Sequence, residues 1–194
     1  MGKPANPQGV KILNTNQIAK AIDKIALQIL EKHPDPRDLC LVGVHSGGDL
    51  LIRRVEKALS EKSGVKDLDL PKGMVEISFY RDDFTRLSQV PVHQATNIPF
   101  DPDDRTIILI DDVLFTGRTI RAALEGLFSQ GRPGKVELAV LIERAHREFP
   151  IAADYVGLPL KTDRHQSVNV YLHLDPREDH AILEDHKYRT SRAS

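Results

Sequence analysis

Apolar positions along this chain alternate between two periods, and the changes of period predict strands alternating with helices. Ile18, Ile22, Ile25 and Ile29 recur at spacings of four, three and four, the repeat of one helical face, with Asn16 as the expected N-cap. Pro34 and Pro36 end that helix. The run LCLVGV (39–44) is continuously apolar and is followed by HSGGD, which predicts a strand buried on both faces of a parallel sheet. LLIRRVEKAL (50–59) then reads as an amphipathic helix, and MVEISFY (74–80) alternates with strand period. The polar segment RDDFTRLSQVPVHQ (81–94) has no helical repeat and predicts a long mobile loop or arm. TIILI (106–110) is a second buried strand, and VELAVLI (136–142) is a third. Between them GRTIRAALEGLF (117–128) is a helix with Ile120, Ala123, Leu124 and Leu127 on one face. SVNVYLHL (167–174) alternates again and fits either an edge strand or part of a small cap. The order implies the α/β class with a mostly parallel sheet flanked by helices.

Composition bounds the picture without sharpening it. With 194 residues, 40% hydrophobic and 28% charged, the expectation is one soluble domain, 1–194, with flexible ends at 1–10 and from about 176 to 194. No apolar run approaches the roughly 20 residues of a membrane span. The absence of a signal-type apolar stretch and the single cysteine, Cys40, point to a cytoplasmic protein. Cys40 sits in an aliphatic run and reads as a core residue rather than a nucleophile. A net charge of −1 lacks the basic excess of a dedicated nucleic-acid binder, although a local basic face stays open. His173, His180 and His186, spaced seven and six apart, match no helical pair of metal ligands.

The chemistry concentrates in IILIDDVLFTGRT (107–119). Ligands of open α/β sheets sit beyond the carboxyl ends of the strands, and here a strand ending at Ile110 delivers Asp111 and Asp112 to that edge. Thr116, Gly117, Arg118 and Thr119 follow at a helix start, where unpaired N–H groups and the helix dipole attract an anion. Ionised carboxylates only accept hydrogen bonds, so the pair suits the vicinal hydroxyls of a ribose. A sugar 5-phosphate satisfies both ends. No G-x-x-x-x-G-K-[ST] P-loop occurs, and HSGGDL is not a G-x-G-x-x-G fingerprint.

This stretch is similar to the thirteen-residue phosphoribosyl-pyrophosphate motif of the type I phosphoribosyltransferases. The wider chain resembles the PyrR family, pyrimidine operon regulators that are also uracil phosphoribosyltransferases. LVGVHSGG, SFYRDDF, IPFD, DDVLFTGRTIRAAL, GRP and HREFPIAADYVG fall in family order. The resemblance implies a type I phosphoribosyltransferase fold with a mobile arm and a small hood. It also implies conversion of phosphoribosyl pyrophosphate and uracil to UMP and pyrophosphate, and assembly as a homodimer or higher homo-oligomer. Asp111 and Asp112 would hold the ribose hydroxyls, with Mg2+ held mainly through the substrate. Val113, Leu114 and Phe115 complete the motif up to the phosphate cradle at Thr116–Thr119. His45, Ser46, Gly47 and Gly48 would approach pyrophosphate through backbone N–H groups, with Arg81 as the catalytic cation of the arm. Phe115 stands where 6-oxopurine enzymes typically carry an Asp, which favours a pyrimidine base.

The resemblance also carries departures. Many family members read R-T-R-G where HSGG stands, which shifts the pyrophosphate onto Arg81 and Arg86, and LPLKTDRHQSV departs from the usual K-N-x-P-T-S. Family members also bind a stem-loop of pyrimidine leader RNA, for which Arg144, His146 and Arg147 are the matching residues. The first-helix pattern T-R-x-x-H instead reads Asp23, Lys24 and Leu27, and Ala152 replaces an arginine. The alternative reading is therefore a UMP-responsive, RNA-binding attenuation regulator with weak or no turnover. A nucleotide sensor without turnover also stays open.

Overall fold

The computed structural model describes residues 9–44, 48–77 and 96–185. Its chain order is β1 (Val10–Leu13), α1 (Thr15–Lys32), β2 (Leu39–Val44), α2 (Gly48–Ser63), β3 (Lys72–Val75), β4 (Thr106–Leu114), α3 (Arg118–Phe128), β5 (Lys135–Arg144), β6 (Tyr155–Leu160), β7 (Gln166–Tyr171) and β8 (His180–Asp185). Five strands form a parallel sheet in the order β3-β2-β4-β5-β6, and three form an antiparallel sheet in the order β1-β8-β7.

The buried runs of β2, β4 and β5 alternate their side chains between two cores. On one face Leu39, Leu41, Ile108, Ile110, Ala139 and Leu141 pack with α1 and α2. On the other, Cys40, Val42, Val44, Ile107, Leu109 and Val140 pack with Ile120, Ala123 and Leu127 of α3. Coverage on both faces explains why these strands carry continuous apolar runs. Cys40 is a core residue whose thiol burial pushes upward in pKa, as expected of an inert cysteine.

The N-cap of α1 is Asn14, not Asn16. Asn14 accepts from the Gln17 backbone N–H (3.0 Å), and the Gln17 side chain accepts from the Asn14 N–H (2.9 Å). That reciprocal box satisfies two otherwise unpaired donors. The predicted strand 74–80 is also shifted: β3 spans Lys72–Val75, and residues 78–80 lie outside the described residues. Met74 and Asn97 exchange backbone hydrogen bonds beside it.

The antiparallel sheet is the hood, and it revises the expectation of flexible ends. Val10 opens β1, and residues 176–185 form a 3-10 turn and β8, which pairs with β1 on one side and β7 on the other. A buried ion pair fastens this sheet to α2. Both Asp179 carboxylate oxygens accept from Arg54, and Asp179 Oδ1 also accepts from the His173 N–H at 2.8 Å. The expectations for residues 1–8 and 186–194 lie outside the described residues.

Among the described residues no helix is long and apolar enough to cross a membrane.

Candidate functional site

The parallel sheet reverses direction in strand order between β2 and β4, since β2 leads outward to β3 and the chain then returns to β4 on β2's other side. Such a switch point opens a crevice beyond the carboxyl ends of the two strands. Pairing of β4 with β2 stops at Gly43↔Ile110, whereas pairing with β5 continues to Leu114↔Glu143. Asp111 and Asp112 therefore lie inside β4, not beyond its end, on a stretch that among the described residues pairs as a strand with β5 alone. The four-residue strand extension is invisible in sequence because two adjacent acids interrupt the apolar run.

Asp111 is buried and Asp112 half-buried, and Asp111 Oδ1 accepts from the Asp112 backbone N–H at 3.0 Å. Val113 packs toward the α1 core and Leu114 into the α3 core, so alternation continues through the motif. The chain then turns through Thr116 and Gly117 into α3. Gly117 is the N-cap with φ 92°, a left-handed conformation that glycine adopts without strain, and it offers no side-chain cap. A Cβ there would stand 3.3 Å from Phe149 Cβ. Thr116 Oγ1 accepts from the Arg118 N–H at 3.3 Å, and Thr119 is half-buried.

A second close approach brings α2 against β2. A Cβ on Gly43 would lie 2.8 Å from Ile52 Cδ1, and one on Gly48 would lie 3.1 Å from Gly43 Cα. Gly48 is thus the first residue of α2, packed on the end of β2, rather than part of a free turn. His45, Ser46 and Gly47, together with Arg81 and Arg86, lie outside the described residues.

Around the cradle the structure gathers residues that the motif did not announce. The carbonyl of Thr116 accepts from the backbone N–H groups of Glu148 (2.9 Å) and Phe149 (3.1 Å). Arg118 donates to Glu148 Oε2 through Nε (3.1 Å) and Nη2 (2.8 Å), while Arg164 donates to Glu148 Oε1. Phe115, Thr116, Arg118, Glu148 and Arg164 line one cavity of about 330 Å³. Nothing local in sequence links Glu148 or Arg164 to the motif, because the β5–β6 and β6–β7 connections bring them there.

Arg144 corrects the expectation of an RNA-facing cation. It is buried, its guanidinium lies 3.9 Å from the centre of the Phe115 ring, and burial lowers its pKa. Its Nε donates to Thr162 Oγ1 (3.0 Å), and its Nη2 donates to the carbonyls of Gln166 (2.7 Å) and Asp163 (3.3 Å). His146 donates through Nε2 to the Thr162 carbonyl at 2.7 Å and stands edge-on to Phe115. Of the three, His146 and Arg147 are exposed, and Arg147 pairs with Glu143 at 2.7 Å. On the first helix, where Asp23, Lys24 and Leu27 replace the family pattern, Lys24 donates to the Gly157 carbonyl (3.2 Å) and Asp23 pairs with Lys62 (3.0 Å).

Far from the crevice, near the start of β5, Glu137 is buried between Lys32, Lys135 and His33, each 2.7 Å away, and accepts from the Tyr155 hydroxyl. Burial alone would raise its pKa, but hydrogen bonds from Lys135, Lys32, Tyr155 and His33 hold it well below the usual carboxylate range.

Residues 9–177 match the family described as Phosphoribosyl transferase domain. The chain is 44% identical over 173 residues to "Bifunctional protein PyrR" of Syntrophobacter fumaroxidans, covering 89% of this chain and 91% of the relative. It is 46% identical over 161 residues to the protein of that name in Deinococcus radiodurans, covering 83% and 86%. Among solved structures it resembles the HGPRT-ase of Leishmania tarentolae in complex with GMP (TM-score 0.68, 16% identity, covering 94% of this chain and 99% of that one). The hypoxanthine phosphoribosyltransferase of Trypanosoma cruzi is similar in the same way (TM-score 0.67, 20% identity, 91% and 96% covered). At such identities these two share the fold with this chain and say nothing of its base.

Proposed function

The chain belongs to the phosphoribosyltransferase family and, within it, to the PyrR proteins, and from that premise we propose that it transfers ribose 5-phosphate from phosphoribosyl pyrophosphate to uracil, giving UMP and pyrophosphate. The observation that carries this reading is the β4–α3 passage: two carboxylates on a strand extension at the switch point, followed by a helix start whose N-cap is a glycine with no side chain.

Asp111 and Asp112 accept hydrogen bonds from the 2- and 3-hydroxyls of the ribose, and their charge favours the positive character that C1 acquires as its bond to pyrophosphate breaks. The N–H groups at the start of α3, with the Thr116 and Thr119 hydroxyls, hold the 5-phosphate, and Gly117 lets it approach the backbone. Held at both ends, the sugar presents C1 to the base. Phe115 offers an apolar edge with no acceptor for a purine N–H, which fits a pyrimidine. Gly48 and the turn before it bind the pyrophosphate, with Arg81 as the arm's cation.

Among the described residues no cluster of three or more His, Cys, Asp or Glu side chains could hold a metal. Asp111 and Asp112 are hard oxygen donors, and they fit an ion whose other ligands are substrate oxygens and water. Held by Asp111 and Asp112, mainly through the substrate, magnesium would supply positive charge against the leaving pyrophosphate.

An assay of the full-length protein with phosphoribosyl pyrophosphate, Mg2+ and uracil, guanine or hypoxanthine tests the reading. UMP formation with uracil alone is expected, and product with a purine alone refutes it.

A second reading, a UMP-responsive regulator that binds pyrimidine leader RNA, is supported by the name "bifunctional" that the relatives carry and by the exposure of His146 and Arg147. Filter binding with a leader transcript tests it: salt-sensitive, sequence-selective retention is expected, and no retention at low salt excludes it.

A further inference from the structure

Glu148 is held between two arginines. Its two carboxylate oxygens face two different arginines, Arg118 at the start of α3 and Arg164 on the β6–β7 connection, and all three line the cavity shared with Phe115 and Thr116. The backbone of the same residue is fixed to the cradle, since its N–H donates to the Thr116 carbonyl. The carboxylate can therefore leave while the loop stays. These side chains are partly exposed, 48% for Arg118, 26% for Glu148 and 71% for Arg164, so the ion pairs are worth little and open readily.

Arg164 is aimed at this cavity by its neighbours. The Asp163 and Gln166 carbonyls accept from the buried Arg144, and the Asp163 N–H donates to Gln166 Oε1 at 2.9 Å. The residues on both sides of Arg164 are thereby tied to the guanidinium that stacks on Phe115.

We propose that Glu148 occupies, between Arg118 and Arg164, the place of a substrate phosphate, and that ligand binding exchanges this carboxylate for the phosphate, making Arg164 a phosphate-binding residue of the site. The inference rests on the ribose 5-phosphate site proposed above. A phosphate brings more charge than a carboxylate and three acceptor oxygens to the same two forks, so exchange favours the phosphate. Glu148 acts as a built-in competitor that keeps two neighbouring cations from repelling one another while the site is empty.

Calorimetric titration of the full-length protein with ribose 5-phosphate, with ribose as the phosphate-free control, tests the proposal. R164A is expected to bind ribose 5-phosphate about fivefold more weakly and R164K to recover part of the loss, the range for one partly exposed charge-assisted contact. E148Q is expected to bind it about threefold more tightly, by removing the competitor. In R164A/E148Q the gain from E148Q should shrink, because the two residues share one interaction. Unchanged affinity in R164A, or no gain in E148Q, would overturn the proposal. If the unaltered protein binds neither ribose 5-phosphate nor UMP, the underlying reading of the site falls as well.

Discussion

The guanidinium of Arg144 lies 3.9 Å from the centre of the Phe115 ring, so the last residue of β5 is stacked on the residue that precedes the T-G-R-T turn of β4. This contact joins the sugar-phosphate motif to the β6–β7 connection. Arg144 is a positioning residue: it touches Phe115 and backbone carbonyls, and through them it sets where residues 162–166 stand.

R144M should keep the packing of the stem but lose the stack and leave part-buried acceptors short of donors, costing about 1–3 kcal/mol. For a chain of this size the melting temperature should fall by roughly 5–10 °C. KM for uracil and KM for phosphoribosyl pyrophosphate should both rise, the first through Phe115 and the second through Arg164, and unchanged values of both would contradict a positioning role.

D111N and D112N preserve shape and remove charge. Both should lower kcat/KM by about a hundredfold or more, as expected for lost charge stabilisation at the reacting sugar. Stability should change little, because an asparagine oxygen at position 111 can still accept from the residue 112 N–H. UMP formation together with thermal melts separates the two effects.

G117A forces a side chain into φ 92° and against Phe149 Cβ. A cost of about 1–3 kcal/mol is expected, with weaker binding of ribose 5-phosphate by calorimetry. Equal affinity in G117A would show that the phosphate does not sit against this backbone.

Glu137 links stability to pH. Its carboxyl pKa is lowered from the ordinary value of 4.5 in the folded chain, so the folded state binds its proton less readily than the unfolded state does. The stabilisation is fully present above about pH 4.5 and is lost as pH falls below that toward the folded value. E137Q should therefore destabilise the protein at pH 7, by about 3 kcal/mol for a broken buried ion network. The gap between E137Q and the unaltered protein should narrow steadily in denaturant melts from pH 5 to pH 3.

The interior of the parallel sheet and the strand-to-helix passage of residues 107–119 were legible in sequence because both are local. The apolar runs of β2, β4 and β5 reflect burial on two faces, and IILIDDVLFTGRT carries strand, acids and helix start within one turn of chain. The continuation of β4 through Asp111 to Leu114 was not legible, because it depends on β5 pairing after β2 has stopped.

The hood, the Glu137 network and the Glu148 clamp belong to tertiary structure. β1 is four residues long with only Leu13 buried, and it becomes a strand by pairing with β8 across most of the chain's length. Asn14 prevailed over Asn16 through reciprocal bonding with Gln17, which the apolar spacing does not encode. Arg144 looked like a surface cation beside His146 and Arg147, yet folding turns it inward onto Phe115. A residue's type declares what it can bind, but burial and the partners delivered by distant segments decide whether it remains available. The sequence by itself therefore determined the strand, the acid pair and the helix start of residues 107–119, and the tertiary structure decided which arginines surround them.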